Sequence, residues 1–210
     1  MTRLRSPTGC PWDREQNHLT LRRHAIEEVY ELIDAIEAGD ESEMAEELGD
    51  LLLQVVFHCQ LAQERGVFDF EKVTRTLVEK LIRRHPHVFA STKVKNVDEV
   101  WANWEKIKKA EKHGTHLERR SALDGIPKHL PALLRAEKLL RKARKAKLVT
   151  VGKKSAGKLS KAALAKALFE LASQAQSHGW CAEELLAGAV KQQERAWRRL
   201  EQAKLPKNSH

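Results

Sequence analysis

Apolar residues recur along this 210-residue chain at spacings of three and four, the repeat of an amphipathic helix. Ile26, Val29, Ile33 and Ile36 form one such stripe and predict a helix over about residues 19–38, ended by Gly39-Asp40. Leu48, Leu51, Leu52, Val55 and Cys59 predict a second over about 42–65, capped by Asp40 or Ser42 and stopped at Gly66. The short connection makes the two antiparallel neighbours. A third helix, about 70–84, carries Val73, Leu77 and Leu81 and stops at the His85-Pro86-His87 turn. A fourth, about 97–112, puts Val97, Val100, Trp101, Trp104 and Ile107 on one face. Residues 121–131 read as a loop, followed by a helix to about 147. Two more helices, about 160–178 and 182–203, are separated by Gly179. No segment alternates as a strand would. The expected fold is all-α, built around a four-helix bundle, with domains over 1–147 and 160–210 and a basic linker over 148–159.

Charge divides the chain unevenly. The formal net charge of +9 combines an acidic first third with a basic remainder. Residues 1–70 hold 6 basic and 15 acidic side chains, whereas the rest holds 32 basic and 14 acidic. From Arg135 to Lys161 there are 11 basic residues against the single Glu137. The most apolar run, Leu51 to Phe57, is far shorter than the ~20 residues that span a membrane. Met1 to Cys10 lacks the apolar core of a secretory signal. Cys10, Cys59 and Cys181 are odd in number and far apart, which argues for reduced thiols and a cytoplasmic protein rather than a disulfide framework or zinc site.

The acidic third holds the most informative constellation. Glu27, Glu28 and Glu31 form E-E-x-x-E on the first helix, and Glu47 and Asp50 form E-x-x-D on the second. Glu28 and Glu31 share a face, as do Glu47 and Asp50, and each pair sits beside its helix's apolar stripe. Four carboxylates converging at the seam of the two helices would repel unless a cation neutralised them, and hard oxygen ligands suit Mg²⁺ or Mn²⁺. A ferritin-like di-iron site would want Glu-x-x-His, but Asp34 follows Glu31 and Asp50 follows Glu47. Glutamates are also good surface-helix formers, so spacing alone leaves a plain solvated face open. Lys80, Arg83 and Arg84 cluster at the end of the third helix. Trp104 and Lys108 sit at i and i+4 on the fourth, and together these suggest phosphate and base contacts. A solvated helix end and a core tryptophan are the plainer alternatives.

Several blocks together resemble the MazG family of nucleoside triphosphate pyrophosphohydrolases. They are Cys10-Pro11-Trp12-Asp13, Glu27-Glu28-Val29-Tyr30-Glu31, Glu46 to His58, Lys80 to Phe89, Trp104-Glu105-Lys106-Ile107-Lys108 and Leu123-Asp124-Gly125-Ile126-Pro127. The match runs over roughly residues 10–145 and looks like the first half of the two-domain members. The resemblance implies hydrolysis of an NTP or dNTP to the monophosphate and pyrophosphate by water attack at the α-phosphate. Glu28, Glu31, Glu47 and Asp50 would hold Mg²⁺, Lys80 and Arg84 would clamp phosphate oxygens, and Trp104 and Lys108 would contact base and phosphates. Glu27 is a candidate to orient the water. The family also implies a homodimer.

Residues 160–203 resemble the end of a second, shortened copy without the metal site. Anchored on Gly179, its carboxylate positions become Ala163 and Lys166, and its expected Lys and Arg positions fall on Gln192 and Ala196. An unrelated helical hairpin is the alternative. The basic 135–161 segment also leaves open a helical nucleic-acid-binding or interaction module without catalysis, although no aromatic is interleaved there for base stacking.

Overall fold

The computed structural model describes residues 1–149 and 160–204, and among these every regular element is helical. The helices are α1 (Pro11–Glu15), α2 (Arg22–Ala38), α3 (Glu41–Gln63), α4 (Phe70–Arg84), α5 (Pro86–Phe89), α6 (Val97–Lys112), α7 (Ala132–Lys145), α8 (Lys161–Ser177) and α9 (Ala182–Lys204). The all-α expectation holds. Punctuation comes from local chemistry. The Asp40 carboxylate accepts the Ser42 and Glu43 amides at the start of α3, and Asp69 accepts the Lys72 amide at the start of α4. Gly39, at φ +70°, closes α2 in the left-handed conformation that glycine adopts without a side-chain clash. The expected first helix begins three residues late. Asn17 Oδ1 accepts the Leu19 and Thr20 amides at 2.8 and 3.2 Å, which holds that stretch as a turn until Arg22. The linker predicted over 148–159 lies, from residue 150 on, outside the described residues.

The described residues form two compact units, one of residues 1–104 and one of residues 105–149 with 160–204, with the division inside α6. In the first, α2 and α3 make an antiparallel hairpin and α4 lies against α3. Leu21, Phe57 and Leu61 form a small core under the N-terminal segment. That segment is tied to the far end of α3: Thr2 Oγ1 donates to Gln60 Oε1 at 2.9 Å, and Arg5 pairs bidentately with Glu64. Arg5 also donates to the Asp13 carbonyl and stacks over the Phe57 ring.

The apolar stripes take an unexpected place. Ile26, Val29, Ile33 and Ile36 are exposed, as are Leu48, Leu52 and Val55. The least exposed positions of α2 are instead His24, Ala25, Glu28, Leu32 and Ala35. On α3 the partly or fully buried line runs through Met44, Glu47, Leu51, Gln54 and His58. The hairpin seam is therefore narrow and partly polar, with small residues such as Ala35 allowing close approach, while the wide apolar faces look away from it.

In the second unit, Leu123, Leu139, Ala143, Leu148, Val190 and Trp197 form the core. The helix placed by its sequence position in the 1–147 domain, α7, packs on α9. The physical reason is an apolar face that matches across the two helices, reinforced by charge. Arg198 bridges Asp124 and Glu194 at 2.7 Å each, Arg135 pairs with Glu194, and Glu201 accepts from Ser121 and the Ala122 amide.

Candidate active site in an acidic helix seam

Helical spacing sets the site. Glu47, Asp50, Gln54 and His58 follow one another at three, four and four residues along α3, so they project towards α2 as one column. Glu28 meets that column from α2. Glu28, Glu47 and Asp50 each offer a carboxylate oxygen, and these lie within 4.8 Å of one another. Gln54, itself buried, donates from Nε2 to Glu28 Oε1 at 3.4 Å. Glu31 is exposed, yet close enough to add to the negative potential on both Glu28 and Glu47.

The electrostatics are adverse as they stand. Burial, then the charges of Asp50 and Glu31, raises the Glu28 carboxyl above its ordinary value. Burial, then Glu31, Asp50 and Glu28, does the same to Glu47. Glu47 Oε2 and Gln54 Oε1 are buried without a hydrogen-bond partner. An unsatisfied carboxylate oxygen next to other carboxylates is the condition that a bound cation relieves. The donor set is all oxygen, the kind of ligand that a hard cation would take. The residues present thus fit a hard divalent cation of the Mg²⁺ or Mn²⁺ kind. No imidazole belongs to the cluster, which does not suit a carboxylate–histidine di-iron centre.

A second group forms where α4 ends. Arg84 stacks 6.0 Å over the Trp104 ring, and His85 meets the same ring edge-on at 5.9 Å. Trp101 packs at 5.5 Å against Trp104. Arg84 and Trp104, singled out separately in the sequence, are thus brought together. Lys80 is half-buried one turn earlier and Arg83 is exposed. Glu27 stands outside the carboxylate cluster and pairs with His24 at 3.2 Å. Lys108 belongs to the second unit, where its ammonium pairs with Glu105 at 3.1 Å.

Two features escape the sequence reading. Gln54 holds Glu28, and its position in the 47-50-54-58 column was the available signal. His58 meets His18 at 2.8 Å, with Arg65 reaching the other ring nitrogen of His18 at 2.7 Å. Since Arg65 can only donate, His18 Nε2 accepts and its Nδ1–H donates to His58. Burial lowers the His58 pKa and favours the neutral ring that this bond needs.

The chain is thus an all-α protein with a carboxylate cup between two antiparallel helices. Comparison with known families narrows it: residues 16–89 match the MazG nucleotide pyrophosphohydrolase domain, and the chain carries that domain. The chain is 51% identical over 140 residues to the Escherichia coli nucleoside triphosphate pyrophosphohydrolase, covering 66% of this chain and 52% of that protein. It is 50% identical over 139 residues to the pyrophosphohydrolase/pyrophosphatase MazG of Thermotoga maritima, covering 66% and 52%. It is also 51% identical over 136 residues to YabN of Bacillus subtilis, an uncharacterised protein of which it covers 27%. The matched stretch thus spans about half the length of the named pyrophosphohydrolases. A crystal structure of a MazG-related protein from Thermotoga maritima aligns with 29% identity and a TM-score of 0.43, over 52% of this chain and 99% of that one.

Proposed function

We propose that this protein hydrolyses nucleoside triphosphates or deoxynucleoside triphosphates to the monophosphate and pyrophosphate with Mg²⁺, and that Mn²⁺ can substitute. The observation that carries this reading is the carboxylate cup with its buried, unpaired Glu47 oxygen. The names of the relatives point to the same chemistry. Glu28, Glu31, Glu47 and Asp50 hold the ion. When bound, it offsets triphosphate charge and acts as a Lewis acid at the phosphoryl oxygens. Gln54 keeps Glu28 oriented by its hydrogen bond. Lys80, Arg83 and Arg84 supply positive charge for phosphate oxygens, and the Trp104 ring offers a face to the base. Lys108, on the same helix, adds charge for the phosphates. Glu27, exposed on α2, orients the attacking water. A second copy of the chain covers the outer apolar faces of α2 and α3. Among the described residues no helix is long and apolar enough to cross a membrane, and a cytoplasmic place fits three free thiols.

A panel of ribo- and deoxynucleoside triphosphates with Mg²⁺ or Mn²⁺ tests the reaction. Monophosphate and pyrophosphate are the expected products; orthophosphate released first would overturn the reading. A second expectation concerns pH. Because Glu28 and Glu47 hold their protons above the ordinary carboxylate range, protons compete with the ion. Apparent Mg²⁺ affinity therefore rises with pH, and binding releases protons. Calorimetry in buffers of different ionisation enthalpy reads that release, and a heat independent of buffer would contradict it.

A further inference from the structure

Lys108 apart, the second unit carries a charge pattern that nucleotide hydrolysis does not use. Residues 105–149 hold fourteen Lys and Arg against five Asp and Glu. On α7, Leu139 and Ala143 turn into the core. At ~100° per residue, Lys138, Arg141 and Lys145 fall within about 60° of one another on the side away from it, and Lys142, half-buried, flanks that face. The acids nearby are already shared out. Glu137 pairs with Arg141 at 2.8 Å, Asp124 is held by Arg198, and Glu105, which pairs with Lys108, is the carboxylate whose charge reaches Lys142 and Lys145.

Lys142 is the centre of the crowd. Its ammonium donates to the carbonyls of Asp124 and Ala122 at 2.6 and 3.2 Å. Burial, then Arg119, pulls its pKa down; Glu105 and Asp124 oppose this, while Lys108 adds to it. Gathering ammonium and guanidinium groups in this way disfavours the folded state unless an anion joins them. Lys138, Arg141 and Lys145 span about 10 Å of helix. Each of these three cations can neutralise one backbone phosphate, which sets about three contacts. The α7 sequence has no aromatic residue, which disfavours stacking on single strands. Its exposed leucines, Leu133 and Leu134, sit in the first turn, away from the cations, unlike a helix that inserts into lipid.

We propose that the cationic face of α7, with Arg119 and Lys142 at its edge, binds the phosphate backbone of duplex nucleic acid without reading its bases. The test uses the full chain and a fluorescent duplex of about 24 base pairs of arbitrary sequence, followed by anisotropy against salt. Binding is expected at about 0.1 M salt, with a log–log slope near −3 from about three phosphate contacts. Lys138→Glu/Arg141→Glu/Lys145→Glu should weaken it at least tenfold and flatten the slope by about 3, with circular dichroism and nucleotide hydrolysis unchanged. The gentler Arg141→Gln/Lys145→Gln pair should give an intermediate loss. Three outcomes overturn the proposal: no duplex binding by the native chain, equal binding by the triple variant, or preference for vesicles of anionic phospholipid over duplex. Because none of these residues belongs to the acidic cup, a failure here leaves the hydrolysis reading standing, and the reverse also holds.

Discussion

Glu47→Gln is expected to lower pyrophosphate release from a nucleoside triphosphate by on the order of 10²- to 10³-fold while raising the melting temperature of the metal-free protein. Both directions follow from one oxygen. Glu47 Oε2 is buried without a hydrogen-bond partner and stands beside Glu28 and Asp50. Without the ion, its negative charge is opposed by Glu31, Asp50 and Glu28 and by its own burial. Neutralising the side chain at almost constant volume removes that repulsion, so the metal-free fold gains stability. On the proposed reading, the same substitution would delete a charged ligand and weaken the hold on the ion. Melting curves in chelator and in Mg²⁺ should therefore cross: the variant melts higher in chelator and gains less from Mg²⁺ than the native chain. Unchanged turnover would remove Glu47 from the site. A lower metal-free melting temperature would mean that the carboxylate is satisfied in a way the structure does not contain.

The helices were largely legible because their signals are local. Asp40, Asp69 and Gly39 act within a few residues, and the three-four spacing of apolar positions survives any tertiary context. Which face meets which neighbour was not legible. Periodicity marks Ile26, Val29, Ile33 and Ile36 as one stripe, but it does not distinguish a stripe for the chain's own core from one left outside it. The close approach at Ala35, fully buried, shows that a small residue beside a polar seam can decide the packing. The acidic residues were identified as a set, yet their gathering depended on that seam. Long-range pairing was equally hidden. Arg135 and Glu194 are 59 residues apart, and no local rule joins them, so α7 could not be assigned to α9 from its own sequence. Gln54 escaped because a glutamine between leucine and valine reads as an ordinary helix residue until a carboxylate stands opposite it.

The column on α3 also links the cup to the N-terminal segment. Gln54 contacts Glu28, and one turn on, His58 meets His18, which Arg65 fixes in turn. Arg5 and Thr2 fasten the same segment to Glu64 and Gln60 beyond. A hairpin whose seam is short of apolar contacts is thereby braced at its far end by hydrogen bonds and an ion pair. The Arg5 guanidinium in that pair is mostly buried, so it is less screened than a surface bridge.

Ile33→Asp combined with Leu52→Asp is expected to convert a dimer of about twice 23.9 kDa into a monomer. Ile26, Val29, Ile33 and Ile36 on α2 are 41–57% exposed, and Leu48, Leu52 and Val55 on α3 are 42–54% exposed. Side chains of this kind gain about 1.5–3 kcal/mol each on full burial, so covering the exposed half of seven of them yields several kcal/mol per copy. A two-fold interface presents this face twice, which brings the gross gain into the range of the cost of association, about 4–15 kcal/mol. Each aspartate would likewise enter the interface twice, buried and facing apolar groups, a placement that proteins avoid. Neither residue belongs to the carboxylate cluster, so loss of the dimer can be separated from damage to that cluster. Light scattering on the native chain and the variant reads the mass directly. A native chain that is monomeric at all concentrations, or a variant with the native mass, would refute the closure of these faces by a second copy. In that event another part of the same polypeptide or a different protein must cover them, since an apolar face of this extent on adjacent helices is not left to water in a stable fold.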